Sequence, residues 1–147
     1  MYRVLITGVI HSSVLNLLRK ESDIEIQYSP DLPYVEIVQI IEPFHCILSR
    51  SGTLINRELI ERALEMKVIA RAGVGVGNID VEYATESGIL VINTPSKNTN
   101  SAAELTLGLM LSTVLMIVLA HQEMHAQSWK RHRFSRMELL NKTLGII

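Results

Sequence analysis

The sequence predicts an α/β domain built on a doubly wound parallel sheet, followed by a long connecting helix. Three observations lead there. Short β-branched runs alternate with amphipathic stretches from the N-terminus to about Asn93. Parallel neighbours need crossover connections, which are nearly always helical and right-handed, so strands separated by helices form one parallel sheet. The composition, 48% hydrophobic and 20% charged with four prolines and eight glycines in 147 residues, is that of a chain able to bury a core.

The elements follow in order. Arg3 to Thr7 reads as the first strand, and a helix from Ser12, its expected N-cap, places Val14, Leu15, Leu17 and Leu18 on one side. Ile24 to Tyr28 alternates as a second strand; after Ser29, Pro30 and Asp31 a short helix carries Val35, Val38 and Ile41 until Pro43 stops it. Cys46 to Leu48 is a compact third strand. The next helix starts at Asn56, with Leu59, Ile60, Ala63 and Leu64 at helical spacing. Val68 to Ala70 runs into a glycine-rich loop, after which Asp80 can cap a short helix ending at Gly88. Ile89 to Asn93 is the fifth strand. From Asn98 the pattern becomes one long helix, capped by Asn100 or Ser101 and running to about Gln127. Thr143 to Ile147 is apolar and strand-like.

Composition also removes several function classes. With 14 basic and 15 acidic side chains the formal charge is −1, which argues against nucleic-acid binding through bulk charge. A lone cysteine, Cys46, excludes an intrachain disulfide and a cysteine zinc site, and points to a reducing, cytoplasmic setting. The N-terminal apolar run reaches His11 too soon for a secretory signal. Leu105 to Ala120 is the longest apolar stretch but falls short of the roughly 20 residues that span a bilayer. It reads as a helix covered by another domain or subunit, so no membrane partner is expected.

Ligands in doubly wound sheets bind beyond the carboxyl ends of the strands. Two loops therefore matter most, the one holding Arg50 and the one holding Gly73, Gly75 and Gly77. The glycines form GxGxG after a strand, but a dinucleotide fingerprint would need a glycine at Asn78, a helix opening there, and an acid near Asn93. The loop can instead present successive backbone N–H groups as an anion nest, with Arg50 adding a planar fork. A plain turn beside an exposed arginine is equally open at this point. His121 and His125 share a helix face, yet no HExxH pattern or carboxylate cluster completes a metal site, so none is expected. The basic run from His121 to Arg136 reads as a solvated face.

The stretch KVIARAGVGVGNIDVEYATESGILVINTPSKNTNSAAELTLGLML, Lys67 to Leu111, resembles the D-isomer-specific 2-hydroxyacid dehydrogenases, and their phosphoglycerate dehydrogenase branch most. The RAG-x-G-V loop, the N-[IV]-D turn, the GI-x-V-x-NTP strand and the N-S-x-AE helix start come in the family's order and spacing. The resemblance implies a flavodoxin-like substrate-binding domain over 1–97, a connecting and dimerisation helix over 98–127, and the start of an NAD-binding Rossmann domain over 128–147, with KTLGII as its opening strand. It implies that backbone amides at Val74, Gly75 and Val76 receive a substrate carboxylate, with Arg50 near the substrate phosphate or carboxylate. Val74, Asn98 and Ser101 would approach the nicotinamide end of NAD. The family carries an aspartate where this chain has Gly77, and an arginine in the middle of the connecting helix that this chain lacks.

The family's GxGxxG turn and its catalytic arginine, glutamate and histidine come after the position of Ile147, so no catalytic residue is assigned in these 147 residues. The resemblance implies the substrate-binding part of an NAD-dependent oxidoreductase for a small 2-hydroxy acid or its phosphorylated form. The expected reaction of the intact enzyme is 3-phosphoglycerate oxidation in serine synthesis, with a homodimer formed through the 101–127 helix. A fragment or truncated gene product of this kind would not be active alone. The alternative is a non-catalytic anion-binding or dimerisation module.

Overall fold

The computed structural model describes residues 1–146. It divides into two compact units, Met1–Lys97 and Asn98–Ile147. The first is a β/α alternation: β1 (Tyr2–Ile6), α1 (Ser12–Leu18), β2 (Ile24–Tyr28), α2 (Tyr34–Ile40), β3 (Cys46–Ser49), α3 (Arg57–Arg62), β4 (Val68–Arg71), α4 (Val81–Glu86) and β5 (Leu90–Ile92). All five strands are parallel in the order β2-β1-β3-β4-β5, the flavodoxin-like arrangement that the resemblance implied. The order reverses between β1 and β3, which makes their carboxyl ends the switch point of the sheet.

One sheet face carries the core. Leu5, Ile47 and Ile69 from the central strands cluster with Ile37 of α2, Leu59 and Ile60 of α3, and Ala84 of α4. Val4 and Ile6 are buried on the opposite face, where α1 contributes no buried residue. Asn56 caps α3 by accepting from the Leu59 N–H at 3.2 Å, and Asp80 caps α4 through Tyr83 at 3.0 Å, as their side chains predicted. The α1 cap is His11 instead of Ser12: its Nδ1 accepts from the Ser13 N–H at 3.2 Å. Gly88 closes α4 with φ +72°, and the Ile89 N–H bonds back to Ala84 O at 2.8 Å.

The second unit departs from expectation in three places. The long helix is two helices, α5 (Thr99–Val114) and α6 (Ile117–His125), bent by 63°. Met116 lies at φ 52° and ψ 37°, and a left-handed residue interrupts the right-handed hydrogen-bond ladder. The cap at the start of α5 is Asn98, not Asn100 or Ser101. Residues 143–146 form no strand, and Ile147 lies outside the described residues. A strand exists through its ladder, and no neighbouring strand in this unit supplies one. Among the described residues no single helix is long and apolar enough to cross a membrane, although the bent pair α5–α6 passes by length and composition.

Ile47 is fully buried at the centre of the cluster, so Ile47→Ala is expected to cost about 2–5 kcal/mol, read as a lowered urea midpoint. Burial pushes the Cys46 thiol up to about 11, which keeps it protonated at neutral pH. Iodoacetamide should therefore modify native Cys46 at least about tenfold more slowly than the urea-unfolded chain near neutral pH.

Candidate functional site

The register sets Cys46 opposite both Val4 and Val68, and Val68 opposite Leu90, so the carboxyl ends of β1, β3, β4 and β5 come out side by side. Arg50 is the first residue beyond β3. Its stem lies against Gly8, the second residue beyond β1: a Cβ built on Gly8 would sit 2.6 Å from Arg50 Cγ and 2.9 Å from its Cβ. The Arg50 Nη1 donates to the Val9 carbonyl at 3.2 Å, and the guanidinium stays exposed. Beneath it the buried hydroxyls of Thr53 and Thr7 hydrogen-bond at 2.9 Å.

The glycine loop after β4 is held from several directions. The Ala72 N–H donates to Ser49 O at 2.9 Å and the Thr94 N–H to Gly73 O at 3.0 Å. Asn93 Nδ2 donates to Val74 O at 2.6 Å, and the Ile79 N–H to Val76 O at 2.9 Å. Asn78 ties the two functional loops together, its Nδ2 donating to Thr53 O at 2.6 Å and Arg50 O at 3.2 Å. The sequence made Asn78 notable as a missing glycine; its side chain is a cross-brace. These bonds occupy the carbonyls of Gly73, Val74 and Val76, while Asn78 Oδ1 is buried without a partner. Among the described residues, the N–H groups of Val74, Gly75, Val76 and Gly77 donate to no protein group.

Arg50 stands between two cavities. One of about 430 Å³ is lined by Val9, His11, Arg50, Arg71, Asn93 and Thr94, among others. Another, of about 820 Å³, lies at the β1/β3 switch point, with Thr7, Asp31, Tyr34, Ser51 and Thr53 in its wall. Val74, Gly75 and Val76 do not line the smaller cavity themselves, and they connect to it through Asn93 and Arg71.

Arg71, the last residue of β4, is the feature that sequence reasoning missed. Its guanidinium runs along the loop, and its Nε is buried with no hydrogen-bond partner. The available signal was an arginine ending a strand directly before a glycine run. Among the described residues neither Arg50 nor Arg71 forms an ion pair, which leaves the region positive.

In the first unit Asn78 ties the loop that holds Val74–Val76 to the backbone of Arg50. Asn98 and Ser101 belong to the second unit, at the start of α5, where both are exposed and Asn98 makes no side-chain capping bond. In the basic run, Arg133 pairs with Glu123, and the rings of His121 and His125 meet edge to face at 4.3 Å. Among the described residues no group of three or more histidine, cysteine or acidic side chains is placed to hold a metal.

The first unit is thus a flavodoxin-like parallel sheet whose strand-end loops carry unpartnered backbone amides and two arginines without an ion pair among the described residues. The profile of the D-isomer specific 2-hydroxyacid dehydrogenase catalytic domain matches residues 4–143, and the chain belongs to that family. It is 42% identical to the D-3-phosphoglycerate dehydrogenase of Methanocaldococcus jannaschii over its whole length, matching the N-terminal part and 28% of that protein. It is 37% identical to the hydroxypyruvate reductase of Thermotoga maritima, over 99% of this chain and 47% of that one. The chain thus spans less than half the length of these relatives. A glyoxylate reductase from Paecilomyes thermophila shares the fold, with a TM-score of 0.82 at 22% identity over 96% of this chain and 46% of its own.

Because Gly8 makes room for Arg50, Gly8→Ala is expected to cost about 1–3 kcal/mol through overpacking. An unchanged urea midpoint would show that the β1 loop yields freely.

Proposed function

We propose that this chain is the substrate-binding part of an NAD-dependent D-2-hydroxyacid dehydrogenase that oxidises 3-phosphoglycerate. The row of unused amides at Val74, Gly75 and Val76, on the loop that Asn78 ties to Arg50, is the observation that carries the reading. A carboxylate accepts from several such amides at once, and a guanidinium fork suits a phosphate or a second carboxylate. The 42% identity to a D-3-phosphoglycerate dehydrogenase supports the phosphorylated substrate over other hydroxy acids.

The described residues do not by themselves fit a whole dinucleotide. The loop at Gly73 leads to a helix only at Val81, so no helix N-terminus follows the glycines to receive a pyrophosphate. Val74, Asn98 and Ser101 are proposed to meet only the nicotinamide end. Hydride transfer also calls on the arginine, glutamate and histidine that the family places after the position of Ile147. The 147 residues alone are therefore expected to bind substrate without turning it over.

Dimerisation belongs to the same reading. Neither α5 nor α6 buries a residue, and Leu105, Leu107, Leu109, Leu111, Val118 and Leu119 are all exposed. Apolar surface on that scale calls for a second subunit. A dimer in sedimentation is expected, and a folded monomer overturns this part.

Calorimetric titration with 3-phosphoglycerate tests the site. Arg50→Ala is expected to weaken binding by about tenfold or more, the worth of a hydrogen bond to a charged group. Unchanged affinity removes Arg50 from the site.

A further inference from the structure

The placement of Arg71 has no structural explanation within the chain. Its guanidinium fills the space that side chains on the loop would take: a Cβ on Gly75 would lie 3.2 Å from Arg71 Nη1, and one on Gly73 would lie 3.7 Å from its Cζ and Nε. A guanidinium is a cation that can only donate. Its Nε is nevertheless buried without an acceptor, and no carboxylate pairs with it among the described residues. Asp80, the first acid after it in the sequence, is engaged by the Tyr83 N–H at the α4 cap.

The surroundings deepen the imbalance. The amides next to Arg71, from Val74 to Gly77, are also donors without partners, and the loop carbonyls of Gly73, Val74 and Val76 are already occupied. The acceptors left free here, Asn78 Oδ1 and the carbonyls of Gly75 and Gly77, are neutral, so no negative charge on the loop balances the guanidinium. Keeping a buried, unpaired cationic donor is unfavourable unless an acceptor arrives from outside.

We propose that Arg71 is a binding residue for the carboxylate received by the Val74–Val76 amides, supplying from below the charge that makes the nest select an anion. The inference rests on the reading of the site given above and deepens it. Arg50, which lines the same cavity, is then left for the ligand's second acidic group. A neutral carboxamide of the same shape would leave the Arg71 charge uncompensated, so the site rejects it.

The test compares D-glycerate with neutral D-glyceramide, titrated into the 147-residue chain and followed by amide chemical shifts. The wild type is expected to favour D-glycerate by about tenfold or more, the usual gain for a charge-assisted bond. Arg71→Gln should bring that ratio to about one, while Arg71→Lys keeps part of it because the charge remains. Gly75→Ala, which crowds Nη1 without removing charge, should weaken D-glycerate and not D-glyceramide. A ratio unchanged in Arg71→Gln overturns the role of Arg71 and leaves the site reading standing. A folded wild-type chain that binds neither D-glycerate nor 3-phosphoglycerate overturns both. If Arg71→Gln fails to fold, Arg71→Lys and Gly75→Ala decide, and equal loss of both ligands in them overturns the proposal.

Discussion

Parallel pairing of β3 with β1 on one side and β4 on the other is the constraint on which everything else depends. With Leu48 opposite both Ile6 and Ala70, the chain leaves three adjacent strands at the same level. Shifting any one of them by a residue would turn Leu5, Ile47 or Ile69 out of the core. The same shift would carry Arg50 or the glycine loop away from its partners. Hydrophobic register and the geometry of the strand-end loops are therefore one specification, enforced by side chains of the core.

The loops add a second layer of order. The Ile55–Ile79 bridge joins the β3–α3 and β4–α4 connections, with the Ile55 N–H on Asn78 O at 2.8 Å and the Asp80 N–H on Ile55 O at 2.9 Å. Asn78 braces the same pair of loops through its side chain, and Asn93 holds Val74 from the β5 side. Backbone donors fixed in this way lose little freedom when a ligand arrives, which favours binding by preorganisation.

Much of this was legible in the sequence because each strand is a short apolar, β-branched run and each helix repeats at its own period. Strand and helix positions in the first unit came out within a residue or two, the usual uncertainty at element ends. The strand-end rule singled out Arg50 and the Gly73–Gly77 loop. Arg71 escaped because a sequence does not say that an arginine at a strand end will fold back along the loop it precedes. The break at Met116 escaped for a different reason: no glycine or proline marks it, and methionine seldom adopts a left-handed backbone. The apolar residues at 143–146 matched a strand pattern, but pattern alone supplies no pairing partner.

The braces share one chemical property. Asn78, Asn93 and the Thr7–Thr53 hydroxyl pair are neutral groups that neither gain nor lose a proton between about pH 4 and 10. The smaller cavity is lined by no carboxylate and no lysine, and His11 is occupied with capping α1. The braces that hold these loops are thus bonds that a change of acidity leaves in place.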